Sequence, residues 1–312
     1  MRGPTCLVLM AALAASVPAS AQGAGPPAPP TATLSLQLEG FPGQPPPGGV
    51  RLRLNAWRSE PSYKVQVEVT LPQALRTPEE PEGKRTFTAS GQGLTSAGFN
   101  LQIPPLPPGT HTFGGVANWG QTEARAEIEV LAPADPQGPS YVLSAGTKAF
   151  MCDHLPLKDF AEKVGKLCDR HFEVDPNYAS APITARLSGG GPWWQFLRNT
   201  RLTYARQPDG TLTLMPCVGE PPRSPSSGTV NKNQEGQIYV SAHDTDAVAL
   251  LEQLFEVTGL AWTTPDTLRP TPVRVQTQGA KPFEDALSAL CQAAGWKWSR
   301  GEGGKYVIEG TK

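Results

Sequence analysis

Two stretches of this chain carry the same unit. Residues 156–176 read PLKDFAEKVGKLCDRHFEVDP, and residues 246–265 read DAVALLEQLFEVTGLAWTTP. Each runs from an apolar-striped helix into a short strand. In the first, Leu157, Phe160, Ala161, Val164, Leu167 and Cys168 recur at helical spacing. In the second, Ala247, Leu250, Leu251 and Leu254 do so. The flanks repeat as well. The first copy starts with a candidate strand, YVLSAGTKAFMCDH, and the second with QIYVSAHD. After the shared helix come HFEVDP and ITARLSG in one copy, LAWTTP and PVRVQTQ in the other. A second helix follows. It carries Trp193, Phe196 and Leu197 on one side in PWWQFLRN, and Phe283, Ala286, Leu287, Leu290, Cys291 and Ala294 in the later copy. Each copy closes with a hairpin, LTYAR-QPDG-TLTLM or WKWSR-GEGG-KYVIE. The predicted order is βαββαββ in both, over 141–217 and 237–310, with a polar linker at 218–236. Between third strand and hairpin the first copy is about one helical turn shorter, which preserves the helical face.

Residues 31–133 read differently. TATLSLQLEG, GGVRLRLNAW and YKVQVEVTL alternate apolar and polar residues, and RTFTAS, GFNLQI, THTFGGVANW and EARAEIEVL follow. About seven short strands with turn residues between them predict a β-sandwich. IPPLPPGTHTF, where a Pro-Pro-Gly turn feeds a strand, resembles bacterial immunoglobulin-like and fibronectin-type modules. The expected fold class is therefore multidomain: an all-β sandwich, then two small α+β domains.

The first 21 residues are expected to be a cleaved signal peptide. Arg2 supplies the positive start, Cys6 to Ala15 the apolar core, and Ala19-Ser20-Ala21 the small-x-small cleavage pattern. Residues 22–30 then form a Pro/Gly-rich linker. No later window approaches the length of a membrane span, so the mature protein is expected in the periplasm or outside the cell. With 27 basic and 28 acidic residues and no basic run, the chain lacks the electrostatic footprint of a nucleic-acid binder.

The order PLKDFAEKV, strand ending in DP, ITARLSGGG, helix, LTYARQPDGTLTL resembles the secretin/TonB short N-terminal (STN) domain. TDAVALLEQLFEVTGLAW, TPVRVQTQGAKPFEDALSALCQAAGWKW and KYVIEG carry the same resemblance. It covers residues 141–310, about half the chain. In secretins and TonB-dependent transducers such domains precede an outer-membrane barrel. Here Lys312 follows the last strand directly, and no barrel is expected. The resemblance implies a protein-interaction role with a cell-envelope partner, such as a secretin, pilus or TonB-linked component, and homo-oligomers are open to it.

Cys152, Asp153, His154, Cys168 and His171 have ligand types suited to zinc. The pairs Cys152/His154 and Cys168/His171 flank a helix of about eleven residues, roughly 16 Å long, too far to share one ion. No local signature supports a Cys–His nucleophile, and SGGG at 188–191 lacks the lysine and spacing of a phosphate loop. No catalytic, metal or cofactor residue is assigned. An oxidising compartment favours pairing of Cys152 with Cys217, with Cys168 as the alternative partner of Cys217, while Cys291 reads as a buried small hydrophobe. Trp193, Trp194, Trp296 and Trp298 read as core residues, the alternative being an aromatic platform for sugar or peptide. The expected function is a non-enzymatic, exported adaptor of a secretin-type secretion or type IV pilus system. The alternatives are an envelope glycan or peptidoglycan binder, a regulator of TonB-type signalling, and an unrecognised Cys/His enzyme.

Overall fold

The computed structural model describes residues 31–41, 50–187, 193, 197, 200–217 and 230–310. The expected signal peptide and linker at 1–30, QPPPGG, the SGGG loop, Trp194, Phe196 and most of the 218–236 linker lie outside the described residues. The chain is mostly β, with three helices bounded among the described residues. They are α1 (Leu157–Cys168), α2 (Ala247–Thr258) and α3 (Phe283–Ala294).

Five strands build the N-terminal part: β1 (Ala32–Glu39), β2 (Val50–Thr70), β3 (Lys84–Ile103), β4 (Gly109–Asn118) and β5 (Glu123–Ala132). The sequence suggested about seven short ones. GGVRLRLNAW and YKVQVEVTL are in fact one strand, and so are RTFTAS and GFNLQI. The intervening RSEPS makes an irregularity in the β2–β3 ladder between Trp57 and Lys64 instead of a turn. Pro61 stands where the register slips, so it removes no regular ladder donor. The first half of β2 pairs β1 and its second half pairs β4. The sheet therefore curls, and β1 comes to lie over β4, where the Cβ position of Gly115 is 3.0 Å from a Leu34 methyl. Leu34, Leu36, Leu52, Leu54, Val67, Phe113 and Ile128 fill the space inside the curl.

The sheet does not stop at PADPQGPS. Strand β6 (Ser140–Ser144) pairs antiparallel with β5, and β7 (Ala149–Pro156) pairs with β6. YVLSAGTKAFMCDH is thus a hairpin, not one strand, because Ala145–Lys148 form a tight turn with Lys148 at φ 47°. At this junction Glu129 of β5 accepts from Tyr141 of β6 at 2.5 Å and pairs with Lys163 of α1 at 2.6 Å. Burial opposes the charge on Glu129, but these two donors outweigh it and hold its carboxyl below the usual range.

The duplication read from sequence is repeated in topology. The first unit continues as α1, β8 (Phe172–Val174), β9 (Pro182–Leu187), β10 (Leu202–Arg206) and β11 (Leu212–Pro216). The second is β12 (Val230–Lys232), β13 (Ile238–Asp246), α2, β14 (Trp262–Thr263), β15 (Pro272–Gln276), α3, β16 (Lys297–Arg300) and β17 (Tyr306–Glu309). Each unit has one sheet ordered β6-β7-β9 or β12-β13-β15, and a second ordered β10-β11-β8 or β16-β17-β14. In both, the strand after the first helix pairs parallel with the last strand. The helices α1 and α3 touch strands of both sheets. Each unit opens with a hairpin and so has one strand more than expected. In the second unit that strand, β12, comes from the apparent linker and turns at Asn233, whose side chain accepts from Glu235 N–H and Gln237 N–H. Even an irregularity repeats. The strand before each helix bulges at a left-handed residue, His154 (φ 51°) or Asp244 (φ 50°).

The first unit closes tightly around α1. Asp169 adopts a left-handed conformation after Cys168, and Arg170 N–H returns to Gly165 O at 3.0 Å. A Cβ on Gly165 would stand 2.6 Å from Arg170 O, a backbone atom with little freedom. Gly165→Ala is expected to cost about 1–3 kcal/mol by overpacking, read from urea denaturation against wild type.

Candidate functional site

Cys152, Asp153, His154, Cys168 and His171, whose side chains are of zinc-ligand type, lie dispersed in the structure. Cys152 points inward from β7, its Sγ 3.5 Å from Ile183 O, and burial pushes its thiol up to about 12. Cys168 is half-buried with Sγ 3.1 Å from Val164 O, and burial lifts it to about 11. Cys291 lies in the core and is raised to about 12 for the same reason. Thiols held so far above neutral pH are poor nucleophiles. The four described cysteines, including Cys217, are free thiols, and neither the Cys152–Cys217 pairing nor the Cys168 alternative is formed in the structure. The inward face of β7 and the turned-back Sγ of Cys168 commit those two side chains to the core. His154 is exposed on the bulge beside Asp153 at 3.2 Å, and His171 is exposed 3.9 Å from Glu173. Among the described residues no three His, Cys, Asp or Glu groups converge to hold a metal, and no helix is long and apolar enough to cross a membrane.

Trp193 and Trp296 pack inside. Trp193 is buried edge-on against Tyr204, with ring centroids 4.9 Å apart. Trp296 is buried, and half-buried Trp298 lies 5.6 Å from the Tyr306 ring.

What the structure does bring together is a set of polar residues where the first unit docks on the second. Strand β10 is an outer strand of its sheet. From it, Tyr204 and Arg206 reach α2 and β14 of the second unit. Arg206 Nε donates to Glu252 Oε1 at 2.8 Å, each side chain only 9% exposed. The guanidinium stacks on Trp262, 3.8 Å from the ring centroid. Arg206 also exchanges two backbone hydrogen bonds with Leu268, at 2.8 and 2.9 Å. Nearly two turns before Glu252, Asp246 caps α2 by accepting from Val248 N–H at 2.9 Å and accepts a hydrogen bond from the Tyr204 hydroxyl at 2.5 Å. Arg170 approaches Glu252 from the first unit at 3.5 Å. One hydrophobic core then runs through both units. They are a docked pair, not beads on a flexible linker.

These residues follow from local structure. Alternation along β10 puts Tyr204 and Arg206 on one face. On α2, Asp246 is the cap and Glu252 lies six residues on, on a side that Val248 and Ala249 also line. Sequence reasoning passed over all of them. A signal was there: DAVALLEQLF is apolar nearly all round, and such a helix must be covered on every side.

In the first unit the corresponding place is an open groove. It lies between α1 and β8, has a volume of about 840 Å³, and is lined by Lys158, Ala161, Glu162, Phe172 and Ala179 among others. Set beside the models of known protein families the chain matches none, and no curated protein matches it.

Proposed function

We propose that this chain is a non-enzymatic protein-interaction adaptor of the cell envelope, in which two units of the secretin/TonB short N-terminal type follow an immunoglobulin-like sandwich, and that it serves a secretin-type secretion or type IV pilus apparatus. One observation carries this reading. An outer strand of one unit reaches the helix and strand of the next through Tyr204 and Arg206, with desolvated ionic and stacking contacts and a backbone bridge to Leu268. Such a helix–strand pair is a receptor for a strand, and strand capture is a common mode of protein recognition. The remaining side-chain chemistry agrees with it, since the Cys152 and Cys291 thiols are buried and raised in pKa.

The test is an affinity pull-down of the tagged protein from crosslinked, detergent-solubilised envelopes, with mass-spectrometric identification. A secretin or pilus component is the expected catch. Retention on cell-wall sacculi with no such protein would hand the role to glycan binding. Trp57 and Tyr63, exposed beside the β2 irregularity, are the aromatic pair on offer for it.

A further inference from the structure

The docking between the two units is a pattern that a second copy of the chain can repeat. Strands β10 and β16 hold the same place in their units. Arg206 faces Leu212 across one ladder and Arg300 faces Tyr306 across the other, and Leu212 and Tyr306 pair in turn with Phe172 and Trp262. Arg300 is therefore the counterpart of Arg206. The helices α1 and α2 have the same length and open at Leu157 and Ala247, which makes Glu162 the counterpart of Glu252. The parallel pairings make Phe172 the counterpart of Trp262. Glu252 and Trp262 are the two side chains that receive Arg206.

Every member of that triad thus has a twin; Glu162 and Arg300 are exposed, while Phe172 is mostly buried in the core. Glu162 and Phe172 line the open groove of the first unit. Glu162 is 61% exposed and pairs only with Lys166 on its own helix, at 2.7 Å. Arg300 is 65% exposed at the outer strand of the second unit, where it pairs with Glu284. Exposed pairs of this kind contribute little and exchange readily. We propose that the chain associates head to tail, with β16 of one copy in the α1–β8 groove of the next, so that Arg300 closes on the next copy's Glu162 beside its Phe172. The occupant is set by the shared pattern, because the groove carries Glu162 and Phe172 where the second unit carries Glu252 and Trp262, and the arriving strand carries the same arginine.

The departures set the strength of this contact. Trp298 stands where Tyr204 does, and Pro156 where Asp246 does, so an apolar contact replaces that hydrogen bond. Lys158 stands in the place of buried Val248. The counterpart of Leu268 is Tyr178, whose N–H is given to Asp175 O and whose carbonyl accepts from Ala181 N–H, so the backbone bridge is not repeated. A contact carried by side chains alone is weaker than its intramolecular template and reversible. It is also heterologous, so it grows into rings or open filaments depending on the rotation per step.

Sedimentation velocity on the purified full chain, over a concentration series up to millimolar, tests this. Wild type is expected to show reversible growth beyond the monomer. Glu162→Arg and Arg300→Glu should each weaken it about tenfold or more by placing like charges together. The two variants mixed should regain association, since each then meets an opposite charge at both ends. Glu162→Arg decides alone if Arg300→Glu loses stability beside Glu284. A wild type that stays monomeric throughout, or association that neither reversal weakens, overturns the proposal. Because only the purified chain is used, this outcome is separate from that of the envelope pull-down.

Discussion

Replacing Glu252 with alanine is expected to destabilise the protein by about 3–5 kcal/mol, because it leaves Arg206 buried without its counter-ion. Arg206 has little recourse. Its guanidinium is pinned over Trp262 and its backbone is bonded to Leu268, so it cannot swing into water without undocking β10. The internal twin supplies the control. Glu162→Ala removes the same side chain from the same position of the other helix, where it is exposed and paired only along its own helix. Its cost is expected within about 0.5 kcal/mol, as for most surface changes. Urea denaturation of the two variants, at concentrations too low for self-association, reads the difference directly. Equal costs would mean that the two units are not docked in solution. The double variant Arg206→Met with Glu252→Leu separates geometry from charge. It should recover most of the stability, since a buried ion pair offsets its own desolvation poorly and well-packed apolar groups replace it at little loss.

The fold was legible where periodicity speaks for it. The apolar stripe of α1 and the alternation of β1, β4 and β5 translate directly into burial, since one face of each meets the core. The duplication was legible because it lies in the order of elements, which survives even where residues differ. Strand length was not. RSEPS has turn composition, yet β3 runs alongside on both sides of it and carries the ladder across the irregularity. Long-range pairing decided against local propensity. The β5–β6 continuation was hidden for the same reason, because a proline-rich stretch marks where a chain turns and not where a sheet ends. The docking site is a harder case. Asp246, Glu252 and Arg206 are ordinary surface residues by type, and they become a site only because two halves of a duplication pack together. The difference between the twins was the available clue. Where α1 shows Lys158 and Glu162 to solvent, α2 has Val248 beside Glu252, an apolar position that a free amphipathic helix would not use.

Asp246 gives the docked interface a dependence on pH that the rest of the protein opposes. Burial pushes its carboxyl up from the ordinary 3.8 to about 6, while the Tyr204 hydroxyl and the backbone amides around the α2 cap offset that only in part. Burial and the neighbouring carboxylate raise Tyr204 well above its usual value, so it remains the donor throughout. Arg206 and Glu252 lie close by, paired with each other. Between about pH 4 and 6 the folded chain keeps a proton on Asp246 that the unfolded chain has released. Folding takes up that proton, so the contribution of this residue falls as pH rises through the window and is least above about pH 6. At about 1.4 kcal/mol per unit the span is roughly 3 kcal/mol. Glu129 runs the other way: its folded value is lowered, so its contribution is present at neutral pH and lost on acidification. Comparing two proteins that differ only at position 246 cancels such background. Asp246→Asn keeps a side-chain oxygen for the Val248 N–H, and asparagine caps helices about as well as aspartate. Urea denaturation of both proteins from pH 4 to 8 should show the variant gaining on wild type as pH rises, with the difference levelling off above about pH 6. Parallel curves across that range would mean that Asp246 is neither buried nor shifted, and that β10 does not cover the start of α2. The expected slope makes the contact between the units tightest in mildly acidic surroundings, because there the buried carboxyl carries its proton and the interface no longer holds a charge that its hydrogen bonds offset only in part.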